Sequence, residues 1–436
     1  MTSNGIAPLR PATSADTPEL RGDALLRQGK TEQAIQSYLD AVTSPPSTPL
    51  CLKLARSYDR IGNHAEACRW ALSLVDAGDD YAAWQAGWTL FQRNAQRTVW
   101  PAARTVKVAI AGSYTTTQLG AMVRLAAARI GIRIDLYESP YGQYQQDIID
   151  PASNLYAFAP DIVLLAVHEG DLHLAEFSPD PAEEVQREVS RWTALWNLAT
   201  TLSRARIVQH NFAVPCDIPT GHLATRLPGS RYMMTQAVNT GLGAAAGTAV
   251  SIVDCERLSA LIGKQRWYDP RYWNLSKQAV ALDALPLLAR HTAAVIAADL
   301  GLSRKCLVLD LDNTVWGGVI AEDGLAGIRL GHGPEGEAFV AFQEYLLQLK
   351  RKGVILTVCS KNNHADAVQP FEQHPEMRLQ LHDIALFVAN WQSKPENIRT
   401  IADTLQIGVD ALVFVDDNPV ERDLVRKFLP QVDVLP

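Results

Sequence analysis

The run CLVLDLDNT, Cys306 to Thr314, constrains this chain more than any other stretch. Four apolar residues read as a buried strand, and its carboxyl end carries Asp310, a hydrophobic residue, Asp312, Asn313 and Thr314. Because strand side chains alternate with a period of two, both carboxylates project on the same side of the chain. Two desolvated like charges repel, so this end is destabilising in a core unless a cation lies between them. With Mg2+ there, it becomes a phosphate-handling site. Three later runs end in the polar residues such chemistry needs. GVILTVCSKN places Ser360 at a second strand end, NWQSKPENI places Lys394 just before a proline and a helical stretch, and ALVFVDDNP ends a third strand in Asp416 and Asp417. Short apolar runs alternating with helical patterns predict an α/β fold with a parallel sheet, whose carboxyl edge gathers these residues. Two carboxylates can also divide phosphoryl transfer, one attacking phosphorus and the other donating a proton to the leaving oxygen.

The order Asp, Ser, Lys, Asp-Asp resembles the haloacid dehalogenase (HAD) superfamily. The resemblance implies a Rossmannoid parallel sheet over residues 301–436 with a minimal cap. By it, Asp310 is the nucleophile that forms an aspartyl-phosphate, and Asp312 is the general acid and later the base. Thr314, Ser360 and Lys394 hold phosphoryl oxygens. Mg2+ is held by Asp310, the backbone carbonyl of Asp312, Asp416 and Asp417, with Asp417 the direct ligand and Asp416 its near neighbour. Only WGGVIAEDGLAGIRLGHGPEGEAF separates the first motif from a helix expected near Glu337. So small a cap leaves the site open, which suits a macromolecular substrate better than a sequestered metabolite. His332 and Glu335 in this insertion either touch substrate or decorate a loop.

The fuller wording, DLDNTVWGG, AEDG, FQEYLLQLKRKGVIL, CSKN, NWQSKPENI and VFVDDNPVER, resembles the FkbH-like glyceryl transferase/phosphatases. That resemblance implies 1,3-bisphosphoglycerate as donor and a phosphopantetheinylated acyl carrier protein as acceptor, the glyceryl thioester then serving polyketide biosynthesis. Carrier docking then falls to the helical region, to the middle domain or to sequence beyond VDVLP. Retention as a thioester directs attention to Cys359, beside Ser360. One reading makes it an acyl acceptor whose thiolate is favoured by Lys394 and Mg2+; the other makes it a buried strand-end cysteine that only packs. Cys306, inside the apolar run, reads as packing. An alternative function is a plain phosphomonoesterase acting on a small phosphometabolite or phosphoprotein, which needs the same motifs and no cysteine. A third is a non-enzymatic adaptor.

Upstream, residues 104–300 alternate β-branched runs with helices. Strands are expected at Val106–Ala111, Ile132–Tyr137, Asp161–Val167, Ala205–His210 and Ala249–Val253, and a long helix at Leu275–Leu300. The Gly112-Ser113-Tyr114 edge after the first strand resembles the opening of SGNH or GDSL hydrolases. AVHEGD stands where that family has an oxyanion-hole Asn, and YDPRYW supplies Asp269 without a His three residues on. A serine nucleophile needs a base and a group to orient it, so a hydrolytically silent α/β domain is expected. His168, Glu169 and His173 read as metal ligands or as surface polar residues.

Residues 19–96 carry two similar segments, GKTEQAIQSYLDAV from Gly29 and GNHAEACRWALSLV from Gly62, 33 residues apart. In each, a Gly opens a turn and a small residue, Ala34 or Ala67, sits where helices approach closely. This resembles a short tetratricopeptide array, its copies separated by Pro45-Pro46 and capped by YAAWQAGWTLFQR. It reads either as a partner-docking groove or as a covering appendage. Residues 1–18 read as a mobile leader. Forty basic against 47 acidic residues give a net charge of −7, which disfavours a nucleic-acid binder. The six cysteines include no CxxC pair, and no stretch is apolar enough to span a membrane. A reducing, cytoplasmic setting follows.

Overall fold

Runs rich in Val, Ile, Leu and Ala that are buried on both faces make strands of parallel sheets, because the crossover helices cover each side. The computed structural model describes residues 17–43 and 46–435. Most of the expected leader, and Pro45 of the expected separator, lie outside these. The chain divides into two compact units, Met1–Gly301 and Leu302–Pro436.

In the first unit, β1 (Arg104–Gly112), β2 (Ile132–Glu138), β3 (Ile162–Ala166), β4 (Arg206–His210) and β5 (Val250–Val253) form an all-parallel sheet ordered β2-β1-β3-β4-β5. Every residue of β3 is fully buried. Each such aliphatic side chain contributes about 2 kcal/mol of transfer free energy. Trp192, from the helix Pro181–Ser203, and Phe212 fill one side of this core. Ahead of the sheet run two helical pairs, Pro18–Arg27 with Thr31–Asp40 and Thr48–Arg60 with His64–Ala77, followed by Tyr81–Ala95. Gly29 and Gly62 end the first helix of each pair at φ of 78° and 75°, a left-handed geometry that costs glycine least. Ala34 and Ala67 are wholly buried where the helices approach. The Arg290 guanidinium donates to the Val75 carbonyl at 2.8 Å and pairs with Asp79 at 2.6 Å, tying the helical pairs to the helix Leu285–Asp299.

The second unit repeats the parallel principle with β6 (Cys306–Leu309), β7 (Ile355–Ser360), β8 (Ile384–Ala389), β9 (Leu412–Val415) and β10 (Asp433–Val434), ordered β10-β9-β6-β7-β8. Its core splits across the sheet. Leu309, Val358 and Trp316 pack on one side; Val308, Cys359 and Phe414 pack on the other.

Two element boundaries differ from the sequence reading. The helix expected at Leu275–Leu300 is two pieces, Pro270–Ser276 and Leu285–Asp299, because the chain turns left-handed at Lys277 (φ 55°) and ends the first piece. The helix expected near Glu337 begins at Gly333, with Pro334 in its first turn, where the missing N–H costs nothing. Among the described residues, no helix is long and apolar enough to cross a membrane.

Candidate active site

The central strand β6 delivers Asp310 to the carboxyl edge of the second sheet, and its neighbours β7 and β9 deliver Ser360 and the Asp416-Asp417 pair to the same edge. Backbone pairing fixes the height of Asp310, whose N–H donates to the Val415 carbonyl at 2.9 Å. Lys394 opens the helix Lys394–Leu405 and is only 3% exposed. Its ammonium stands 2.9 Å from Asp310 Oδ1 and also pairs with Asp416 Oδ2.

Oxygens of Asp310, Asp416 and Asp417 all lie within 4.8 Å of one another. Three carboxylates against one ammonium leave an excess of negative charge in a poorly solvated place. Burial pushes the Asp310 carboxyl up to about 6; Lys394 opposes the rise and the Asp416 charge adds to it. Burial and the Asp416 charge raise Asp417 as well. For Lys394, burial alone would depress the ammonium, but the carboxylates on either side win and raise it. A cluster of hard oxygen donors short of positive charge fits a small divalent cation such as Mg2+. The two aspartates of the doublet differ. Asp416 is buried and spends one oxygen on Lys394 and the other on the Asn418 N–H at 2.8 Å, whereas Asp417 is exposed and lines the cavity.

That cavity, about 340 Å3, is lined by Asp310, Asp312, Ser360, Lys361, Lys394 and Asp417, among others. Asp312 lines the same cavity but is not one of the three clustered carboxylates. Its Oδ1 accepts from Trp316 Nε1 and the Ile320 N–H, both at 3.0 Å, and its Oδ2 from Asn362 Nδ2 at 2.8 Å. Three N–H donors hold this carboxylate beside Asp310 in a fixed orientation. Asn313 makes the turn possible, adopting φ 52° and accepting from the Gly318 N–H at 2.8 Å.

Several expected site residues sit elsewhere. Cys359 is fully buried in the apolar cluster with Val308 and Phe414, and its Sγ faces the Lys394 carbonyl at 4.0 Å. Burial pushes its thiol up to about 12, the direction opposite to a reactive thiolate. The structure therefore corrects the acyl-acceptor expectation in favour of packing. Strand alternation is the reason, since Ser360 faces the cavity and its neighbour cannot. Thr314 is 8% exposed and is not among the residues lining the cavity, and its hydroxyl is buried without a partner. Glu335 pairs with Arg329 at 2.6 Å, and neither it nor His332 lines the cavity. Among the described residues the three aspartates form the sole metal-competent cluster, so His168, Glu169 and His173 do not gather as one.

Two features escaped the sequence reading. Asn362, 2% exposed, bridges Asp312 and Ser360, donating to the serine Oγ at 3.2 Å. Its only sequence signal is its place in CSKN. Lys361, which lines the cavity, pairs with Glu421 at 2.6 Å, joining the segment after β7 to the helix Pro419–Phe428.

The family described as FkbH, N-terminal domain, matches residues 107–297. The solved N-terminal part of the protein BF1531 from Bacteroides fragilis, which contains a phosphatase domain and is complexed with Mg, is 35% identical. It superimposes with a TM-score of 0.70 over 79% of this chain and 92% of that one. A HAD family enzyme, bt-2542 from Bacteroides thetaiotaomicron, complexed with magnesium and inorganic phosphate, is 14% identical with a TM-score of 0.22 over 30% of this chain and 92% of that one, a likeness too slight to weigh. Among curated proteins none matches.

Proposed function

The chain belongs to the FkbH-like family within the haloacid dehalogenase superfamily, and we propose that it acts as a Mg2+-dependent glyceryl transferase/phosphatase. In this reading the donor is 1,3-bisphosphoglycerate and the acceptor is the phosphopantetheine thiol of an acyl carrier protein, for polyketide biosynthesis. The observation that carries the phosphatase half is the convergence of Asp310, Asp312, Ser360 and Lys394 on one cavity. The Mg-bound Bacteroides relative supports the choice of metal, and the three-carboxylate cluster supplies the donors.

The phosphatase chemistry follows from this chain's own side chains. An Asp310 oxygen attacks phosphorus while Ser360 Oγ and the Lys394 ammonium hold the phosphoryl oxygens and offset the charge that develops there. As the phosphorus–oxygen bond to the glyceryl carbon breaks, Asp312 delivers a proton to the leaving oxygen. It then takes a proton from the water that cleaves the aspartyl-phosphate. Mg2+, when bound, neutralises the carboxylates and the phosphoryl oxygens together. Because Cys359 is sealed in the core, acyl transfer in this reading is direct: the carrier's thiolate attacks the acyl carbon, the carbon–oxygen bond to the phosphate breaks, and inorganic phosphate leaves.

Intact-protein mass spectrometry of a phosphopantetheinylated carrier incubated with the enzyme, Mg2+ and 1,3-bisphosphoglycerate tests the whole proposal, with Asp310→Asn as control. A glyceryl adduct with the wild type, absent or still phosphorylated with the variant, is the expected result. Free phosphate with an unmodified carrier would instead identify a plain phosphomonoesterase.

A further inference from the structure

In the first unit β1 is followed in sequence by β2 on one side and flanked by β3 on the other, so the sheet changes direction between β1 and β3. Open α/β sheets hold ligands in the crevice at this point, beyond the carboxyl ends of the strands. Ser113 follows β1 directly and His168 follows β3 closely, and the two meet there: Ser113 Oγ lies 2.8 Å from His168 Nδ1. The same oxygen accepts from the His168 backbone N–H at 3.2 Å. While accepting that N–H the serine can donate its own proton to Nδ1, and in that arrangement the ring proton sits on Nε2. Burial pushes His168 down to about 4, so the ring is neutral near pH 7.

The imidazole lines a cavity of about 310 Å3 with Glu169, Tyr268, Asp269, Trp273 and Gln278. Its ring centroid is 4.8 Å from that of Trp273. Ser113, 9% exposed, does not line the cavity. It is placed to orient the histidine rather than to attack a substrate. Gln278 is 6% exposed and its Oε1 has no hydrogen-bond partner. A second, water-sized cavity of about 10 Å3 shares His168, Glu169 and Tyr268 and reaches Tyr114 and His210; the Tyr114 hydroxyl and His210 Nδ1 are also buried without partners. Native folds rarely leave buried polar atoms unpaired, and their clustering beside one crevice marks a place where something else completes them.

The charge around the cavity restricts the occupant. Its lining holds the carboxylates of Glu169 and Asp269 and no lysine or arginine. Asp269 is already paired with Arg271 at 2.7 Å, and the Lys277 ammonium, 5.2 Å from the Trp273 ring centroid, lies outside the lining. A phosphorylated ligand would bring negative charge to those carboxylates, whereas the side-chain atoms left unpaired beside the crevice, Gln278 Oε1, the Tyr114 hydroxyl and His210 Nδ1, are uncharged hydrogen-bonding groups that suit a neutral polar ligand. We propose that this crevice is a second ligand site for a neutral molecule bearing a secondary amide, with His168 Nε2–H donating to the amide carbonyl, Gln278 Oε1 accepting the amide N–H, and Ser113 as the positioning residue that fixes the histidine tautomer.

The test uses the full chain with 15N-labelled histidine and tryptophan. Long-range 1H–15N spectra read the His168 tautomer, and titration follows His168 and the Trp273 indole with three probes of one size: acetanilide, phenylphosphonate and benzylammonium. The expected result is a single Nε2–H tautomer and saturable shifts with acetanilide alone. Ser113→Ala should mix the tautomers and weaken acetanilide about five- to tenfold, the worth of one buried hydrogen bond, while Ser113→Thr, which keeps the hydroxyl, restores both. An Nδ1–H tautomer in the wild type, tighter binding of either charged probe, or no shift with any probe would overturn the proposal. Phosphate release by the second unit is a separate readout and is expected to be unchanged in both serine variants.

Discussion

Replacing Asp310 by Asn should abolish phosphate release and at the same time stabilise the metal-free protein. The carboxyl has a folded pKa of about 6 against an ordinary 3.8. A raised carboxyl is penalised when ionised, so the penalty is fully present above the folded value and disappears below the unfolded one. Each factor of ten in proton affinity is worth 1.36 kcal/mol, so keeping Asp310 ionised at pH 7 costs about 3 kcal/mol. Asparagine keeps the shape and removes the charge, leaving Lys394 to Asp416. Denaturant unfolding of EDTA-treated wild type and variant should therefore show the variant more stable by up to about 3 kcal/mol at pH 7, shrinking to about 1 kcal/mol at pH 4.5. Because the chain has two units, the transition must be followed with a probe in the second, for which Trp316 is suited, being wholly buried there. Added Mg2+ should narrow or reverse the difference by binding the wild type. A variant no more stable than wild type without metal, or a gain that does not change with pH, would refute the electrostatic account.

Other substitutions separate the remaining roles. Lys394→Met leaves Asp310 and Asp416 buried without their cation; phosphate release should fall about a hundredfold or more and the metal-free unit should lose about 3–5 kcal/mol, measured by steady-state assay and unfolding. Cys359→Ala should retain phosphate release and any carrier loading while costing about 1–2 kcal/mol of stability from lost packing. In the native wild type, iodoacetamide should alkylate exposed Cys216 and spare Cys359, as peptide mapping would show. Asn362→Ala removes one of three donors to Asp312 and should lower kcat about 10- to 100-fold with little change in KM.

The strand-end residues were legible because each stands behind its own apolar run, and parallel strands bring their carboxyl ends to one edge whatever the connections between them. Asp310, Ser360, Asp416 and Asp417 needed no more than that, while Lys394 was marked by the proline that follows it at the start of a helix. Cys359 misled because adjacency along a strand is opposition in space: the residue after it enters the cavity, so the thiol enters the core. Thr314 is absent from the cavity lining because it lies past a turn whose shape Asn313 sets. Asn362 and the Ser113–His168 contact were invisible for a different reason. The first depends on a side-chain rotamer, and the second joins positions 55 residues apart through the register of β1 and β3. Lys277, where the first piece ends, is neither Gly nor Pro, and the signal for the break was Pro286, which opens the second piece in its first turn.

The burial of Cys359 also has a kinetic consequence. Among the described residues no thiol lines the phosphate cavity, so a glyceryl group moving to a carrier has no cysteine there on which to pause. Donor and carrier would have to be present together, and initial-rate plots at several fixed carrier concentrations should intersect rather than run parallel. A chain organised this way would also give up no glyceryl group from its donor until a carrier arrives, so flux into the thioester would be set by the supply of the acceptor.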